Sequence, residues 1–453
     1  MIWSLLACTG GPGVALVGDV EIHLAAPYSE DPFAGADTFR IVVRDASGAE
    51  VARGDGTPAS PPALTGIEAL GLVDIEVTAR AGEQVLAAGR SGPVALGPGD
   101  DLAIDVLFLP VNHAVPLADQ EPVEARSDAT SILLADGRVL LIGGGSGGGV
   151  VRSTELWDPL SGFSPAADLA GGALDVQTAP YGEHGTLIAG GRTALSSAED
   201  EGVFAVDPLG RALDAVPDMN KARAAFCLAP LGGQAAVALG GRGVTVAPDH
   251  SVEVLRLNPD TAAMNWSEFT YEGDVSTVSG CATTAALNVV TADRDSADWS
   301  VFAFASPSMA IDERHKPLLG PGALEGAVMI PLREDEVLVI GGRNQVGDVR
   351  RNTWLIDAGL TTYDNASDLA EGRAFARARW WRGERVLAVA LGIDADLQDV
   401  RSLELVDVDS GPLLDAIDVG VGGAAMEVLP GGAIAFLGGT PSGAVLVMPW
   451  VDP

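Results

Sequence analysis

Short, continuous apolar runs that stop abruptly in glycine recur along most of this chain. The first is Leu134 to Gly149, LADGRVLLIGGGSGGG, in which Gly143, Gly145 and Gly148 satisfy G-x-G-x-x-G. A phosphate-cradling loop of that form requires a helix directly after it, because the helix N-terminus holds the anion. The next residues are VVRSTELWDP, a β-branched stretch with a tryptophan that ends in Asp-Pro. It reads as another strand and a turn, so the dinucleotide reading fails on context.

The same unit returns. RVLLIGGG places its first glycine at Gly143, GTLIAGGR at Gly190, QAAVALGGR at Gly240, EVLVIGGR at Gly341, and GGAIAFLGG at Gly438, with a degenerate RVLAVALGID at Leu391-Gly392. The spacings are 47, 50, 101, 50 and 47 residues, and LNVVTADR, near Val290, lies in the middle of the double step. This gives seven units of about fifty residues. A second signal keeps phase with the first: ELWDPLSGF, VFAVDPLGR, VLRLNPDTA, VFAFASPSM, TWLIDAGLT and LELVDVDSG each come next as a strand ending in a turn. A Met or Leu then precedes an arginine, as in PDMNKARAAF and SDLAEGRAFA. Each unit reads as four short strands, with no convincing amphipathic helix.

The apolar strand with its glycine pair, the Asp-Pro-x-x-Gly turn and the Met/Leu-x-x-x-Arg step resemble kelch-repeat β-propellers over roughly Ala114 to Pro453. The resemblance implies an all-β, seven-bladed propeller, residues 113–453, whose fully apolar second strands are buried between blades. The unit near 276–322 departs most, because it lacks the glycine pair. The chain ends in MPWVDP after a third strand, and HAVPLADQEPVEARSDAT aligns with DAVPDMNKARAAFC. The segment 113–121 is therefore expected to supply the seventh blade's last strand. Upstream, residues 17–112 alternate between apolar and polar positions around Gly-rich turns. They are similar to Ig-like or carboxypeptidase-regulatory-like modules, which implies a small antiparallel β-sandwich.

Composition narrows the partners. With 27 Lys and Arg against 62 Asp and Glu, the net charge of −35 repels phosphate backbones and excludes nucleic acid. No apolar run reaches the length of a membrane span. Leu5-Leu6-Ala7-Cys8 nevertheless resembles a bacterial lipobox, which implies lipid attachment at Cys8. Residues 1–8 then read as a truncated signal and 9–16 as a Gly-rich tether, although no Lys or Arg precedes Cys8. Membrane association is expected only through that anchor, with the protein in the bacterial cell envelope or secreted, and as a monomer. With Cys8 lipidated, Cys227 and Cys281 remain as an even pair in an oxidising compartment. They lie early in first strands of adjacent units and are a candidate disulfide. A bridge needs Cα atoms within about 7 Å, so two free, buried thiols are the expectation.

The chemistry is sparse. Propeller oxidases of the galactose oxidase type need two Tyr, two His and a Cys linked to one Tyr. Here Tyr28, Tyr181, Tyr271 and Tyr363, and His23, His113, His184, His250 and His315, are scattered and match no such motif. A carbohydrate-active or oxidative enzyme is therefore the secondary reading, and no catalytic residue, cofactor or metal is assigned. DRDSADW (Asp293, Asp295, Asp298) and DADLQD (Asp394, Asp396, Asp399) lack the Gly and distal Glu of an EF-hand, and read as solvated loops. The basic residues are more suggestive. In a four-stranded blade the lead-in to the first strand and the connection between the second and third open on one face. Arg126, Arg223 and Arg373 occupy the lead-in. Arg192, Arg242 and Arg343 come directly after a glycine pair, and Arg294 lies nearby. Arginines gathered there could hold an acidic group. Alternatively, each pairs with Asp or Glu and stiffens the ring. The expected function is a scaffold that binds an unidentified protein, peptide or glycan.

Overall fold

The computed structural model describes residues 2–7, 20–29, 31–60, 62, 64, 71–97, 102–147, 149–166, 173–183, 185–194, 199–213, 216–241, 251–257, 263–270, 278–304, 315–333, 335–359 and 361–451. Among these the protein is all-β, without helix. Its strands form many small sheets, an arrangement consistent with a propeller-like fold.

Beyond residue 113 the described strands form seven such sheets, apart from a two-stranded ribbon at 145–150. Their second strands are Val139–Ile142, Gly185–Ala189, Ala236–Leu239, Asn288–Asp293, Glu336–Ile340, Val386–Ala390 and Ile434–Leu437. These are the apolar runs of the sequence, and the physical reason for their continuity is visible in the first. Leu140 and Ile142 enter a cluster with Val176, Ile188 and Val206 of the second sheet. Val139 and Leu141 face the other way, into a cluster with Ala435, Leu437 and Leu446 of the seventh. Both faces are dry, so no polar alternation is tolerated. Further clusters join the second sheet to the third, third to fourth, fourth to fifth, fifth to sixth and sixth to seventh.

First strands pack side by side in the same order from Gln177–Tyr181 onward, and Ala425–Val428 of the seventh sheet lies beside Thr130–Leu133 of the first. The last strand of the seventh sheet comes from far upstream. Ala114–Pro116 pairs antiparallel with Ala444–Val447, placing Val115 opposite Leu446. Leu117 N–H extends the pairing to the Ala444 carbonyl at 2.9 Å.

The glycine pairs have a specific task. Gly143 and Gly144 have φ of 59° and 108°. A Cβ on Gly143 would run into the Ala173 carbonyl. The N–H of Gly144 donates to that same oxygen at 2.8 Å. The arrangement recurs for Gly191 with Arg223, Gly342 with Arg373 and Gly439 with Arg126, at 2.8, 2.9 and 2.8 Å. In each case one sheet donates to the lead-in of the next, and the Gly439 bond joins the seventh sheet to the first. The glycines of the opening stretch thus admit a neighbouring backbone.

Cys227 and Cys281 are bonded to each other, with Cα atoms 5.6 Å apart. The expectation of free thiols is corrected here. Cys227–Pro230 and Val278–Thr283 are adjacent first strands, and an irregularity between Val278 and Gly280 shifts the second of them just before Cys281.

Upstream, the sheet of Glu50–Gly56, Thr38–Asp45, Gly71–Ala81, Gln84–Leu96 and Leu109–Pro110 shares one core with the sheet of Ile2–Ala7, Val20–Ala25 and Leu102–Leu107. Val20–Ala25 and Leu102–Leu107 run parallel, so this region is not purely antiparallel as expected. It is joined to the seventh sheet through Asn112. The Asn112 side chain accepts from Trp450 N–H at 2.8 Å and donates to the Trp450 carbonyl at 3.0 Å.

Replacing Gly143 by Ala is expected to destabilise the protein by at least about 2 kcal/mol, through steric clash and a left-handed backbone. Gly145 has open space around its Cα and no positive φ, so Gly145→Ala is expected to stay within about 0.5 kcal/mol of wild type. Denaturant unfolding of both variants checks this contrast.

Candidate functional site

The lead-in segments and the connections between second and third strands do meet on one face. Backbone bridges link Ser127 to Gly145, Leu174 to Arg192, Glu325 to Arg343, Ala374 to Ile393 and Gly422 to Thr440. Of the arginines expected there, Arg126, Arg223 and Arg373 do not look outward. They are 2%, 1% and 0% exposed.

Each of these three arginines is spent on its own sheet. Arg223 Nη1 donates to the Gly240 carbonyl at 2.7 Å, and Nη2 to Ser251 Oγ at 2.6 Å and Glu253 Oε1 at 3.0 Å. Arg126 binds Gly143 O, Ser153 and Glu155 in the same way. Arg373 binds Leu391 O, Ser402 and Glu404. The other carboxylate oxygen accepts a backbone N–H three residues before the arginine: Val123 at 2.7 Å, Asn220 at 2.6 Å and Ala370 at 2.6 Å. The buried charges are thereby paired, as burial demands, and of the three guanidiniums only Arg373 Nε is left without a hydrogen-bond partner among the described residues. Burial draws the Arg126 and Arg373 guanidiniums below their ordinary pKa, and their glutamates oppose it. These three side chains are locked inside the sheets and are not available to a ligand. The sequence carries the signal, a third-strand Ser-x-Glu in RSTEL, HSVEV and RSLEL, in the same three units as the lead-in arginine.

The remaining arginines fare differently. Arg192 pairs with Asp175 at 2.5 Å and Arg343 with Glu325 at 2.6 Å, both partly exposed. Arg343 also lies over the Phe375 ring, 5.5 Å from its centroid. Arg294 and Arg343, with Glu325, Asn344 and Gln345, line an open polar cavity of about 640 Å³ between the fourth and fifth sheets. Exposed apolar side chains occur on the same connections and lead-ins: Val346, which lines the cavity, is 81% exposed, Phe375 under Arg343 46%, and Leu397, in the corresponding connection of the sixth sheet, 61%. Arg242 and Cys8 lie outside the described residues, as do His184, His250 and Tyr271.

The acidic loops cap themselves. Asp293 Oδ1 accepts from the N–H of Asp295 and Ser296 at 2.6 and 2.8 Å. Asp394 Oδ1 accepts from those of Asp396 and Gln398 at 2.9 Å each.

Sequence reasoning missed the group on the first strands themselves. Arg379 reaches Glu427 of the seventh sheet at 3.0 and 3.1 Å, and Ser131 of the first donates to the same carboxylate at 2.7 Å. Two residues before Arg379 stands Arg377, whose side chain makes no hydrogen bond or ion pair among the described residues. It senses Arg379 and, with opposite sign, Asp128, Glu427 and Asp175. Those carboxylates come from the seventh sheet and the lead-ins of the first and second, while Arg377 stands on the sixth. It therefore faces the space these sheets share. Burial, with Arg379, draws its guanidinium below the ordinary value. RARWW offered a hint, because two arginines alternate with apolar residues, and no other first strand of these sheets carries a basic residue among those described.

No family model matches the chain, and no curated protein matches it. Among solved structures, one described as "Structure of YjhT" is similar over 66% of this chain and 98% of its own, at 12% identity and a TM-score of 0.46.

Changing Glu404 to Gln removes the fully buried counter-charge of Arg373 and leaves only Glu371, 3.7 Å away and more than half exposed. A loss of about 3 kcal/mol in unfolding free energy is expected. Loss of less than about 1 kcal/mol would show the pair to be dispensable.

Proposed function

We propose that residues 113–453 are a seven-bladed, kelch-type propeller closed by its N-terminal strand, preceded by a β-sandwich module over 17–112, and that the whole is a binding scaffold. The ligand carries an acidic group and docks on the face where the lead-in segments gather. Arg377 is the observation that carries this reading: a half-buried guanidinium whose side chain has no partner among the described residues, in a protein of net charge −35. A carboxylate or sulfate would supply the bidentate partner that the fold withholds. Arg192, Arg294 and Arg343 surround the approach, and Val346, Phe375 and Leu397 offer apolar contact of the kind that marks interaction surfaces. The seven apolar clusters between neighbouring sheets and the Gly439–Arg126 bond support the closed ring.

Lipid attachment at Cys8 would place a monomeric scaffold on the bacterial cell envelope, with the ligand a protein, peptide or glycan met outside the cytoplasm. Processing there would remove Ile2–Ala7, which pairs with Val20–Ala25.

A thermal-shift screen of acidic peptides and of sulfated or uronate oligosaccharides tests the reading. Hits are expected among acidic ligands, and Arg377→Ala should weaken them tenfold or more, by about 1.4 kcal/mol. Hits confined to neutral ligands, or undiminished binding to the Arg377→Ala protein, would contradict it.

A further inference from the structure

A second site lies at the seam between the upstream region and the sixth and seventh sheets, away from Arg377 and independent of the function proposed above. A cavity of about 150 Å³ there is lined by Asp74, Arg90, Trp381, Arg382, Pro430 and Trp450, among others. Its walls are held tightly. Trp381 Nε1 donates to the Gly432 carbonyl at 2.7 Å. A Cβ on Gly431 would strike the Arg90 carbonyl, and one on Gly92 would come within 3.0 Å of the Pro430 carbonyl.

Two buried polar atoms in this wall have no partner among the described residues, Asp74 Oδ1 and Arg382 Nε. Their side chains carry opposite charges, yet they do not pair with each other. The neighbouring arginine is already committed, because Arg90 pairs with Glu76. Arg382 instead stacks on Trp381, its guanidinium carbon 4.0 Å from the ring centroid, and Arg90 lies 5.8 Å from that of Trp450. An unpaired acceptor and an unpaired cationic donor thus flank one small space with indole walls. Leaving both unsatisfied is costly. A lone anion would satisfy Arg382 and leave Asp74 Oδ1 orphaned. A molecule bearing both charges satisfies both.

We propose that the seam cavity binds a small free amino acid, its carboxylate on Arg382, its ammonium on Asp74, and its carbon atoms against Trp381 and Trp450. The size agrees: a cavity of about this volume admits a ligand of roughly six non-hydrogen atoms, the size of alanine. An ammonium beside an indole face gains further attraction. Burial raises the Asp74 carboxyl above the usual carboxylate range, with Glu76 adding to the rise, against Arg90, Arg44 and a hydrogen bond from the Gly92 N–H that leaves Oδ1 unpartnered. The surroundings of Arg382, burial first and then Arg90, bring it down to about 10, opposed by Glu76 and Asp74. Bound ammonium and carboxylate would relieve both, so affinity should fall as pH drops through the Asp74 titration.

Calorimetric titration of the full chain with glycine, alanine, acetate and methylammonium tests this. Alanine or glycine is expected to bind saturably, with a Kd between about 1 μM and 1 mM, and acetate and methylammonium at least tenfold more weakly. Asp74→Asn and Arg382→Met, checked for unaltered thermal unfolding, should each weaken amino-acid binding tenfold or more. The wild-type series is decisive even where a variant is unstable. No saturable heat with either amino acid up to about 10 mM would mean that water alone fills the cavity, and would overturn the proposal. Acetate binding as tightly as alanine would mean a plain anion site, and variants that bind like wild type would place the ligand elsewhere; both outcomes also overturn it.

Discussion

One backbone hydrogen bond recurs at four of the seven joints between sheets among the described residues: the N–H of the second glycine in a pair, donated to the lead-in carbonyl of the next sheet. It runs between sheets, where side-chain packing alone would leave the relative height of neighbours weakly specified. It also requires glycine twice over. The first position must keep clear of the accepting carbonyl, and both adopt positive φ. A buried N–H needs a partner, and here the partner is supplied by the neighbouring sheet.

The arginine–glutamate pairs depend on the same joint. In the first, third and sixth sheets, the residue that offers its carbonyl to the preceding sheet is itself an arginine, and its side chain turns back into its own sheet. It ties the end of the second strand to the start of the third. The glutamate then accepts an N–H from the segment leading to the arginine. Main chain and side chain of one residue therefore fix two sheets. The connections they hold in place carry the exposed apolar groups and the partly exposed arginines, so an exposed surface is anchored on a dry frame.

Much of the frame was legible in the sequence. The glycine phase marked every second strand except that of the fourth sheet, which it placed only by interpolation, and the alignment of HAVPLADQ with DAVPDMNK anticipated the strand at Ala114–Pro116. Both are local signals that recur, so they survive without knowledge of the tertiary contacts. The features that escaped depend on juxtaposition. The lead-in arginines looked like candidates for a ligand because their glutamates lie about thirty residues further on. The disulfide depends on how closely two first strands approach. Arg377 and Arg382 look alike in RARWWR, yet one faces the space shared by the sheets and the other the seam with the upstream region. The parallel pairing of Val20–Ala25 with Leu102–Leu107 joins segments about eighty residues apart, and periodicity cannot reveal strand direction.

The upstream region is fastened to the seventh sheet by Asn112 and Trp450, and the seventh sheet is completed by residues that come just after Asn112. The two ends of the repeating part thus share one sheet, and no end is free to fray alone. Native-state hydrogen exchange tests this most directly. If the two ends are joined in this way, amides in 115–117 and 444–447 exchange only through the same global opening that releases Val237 to Leu239 in the third sheet. Fast, independent exchange of 115–117 and 444–447 would contradict it, and would show the seventh sheet to be a separable end.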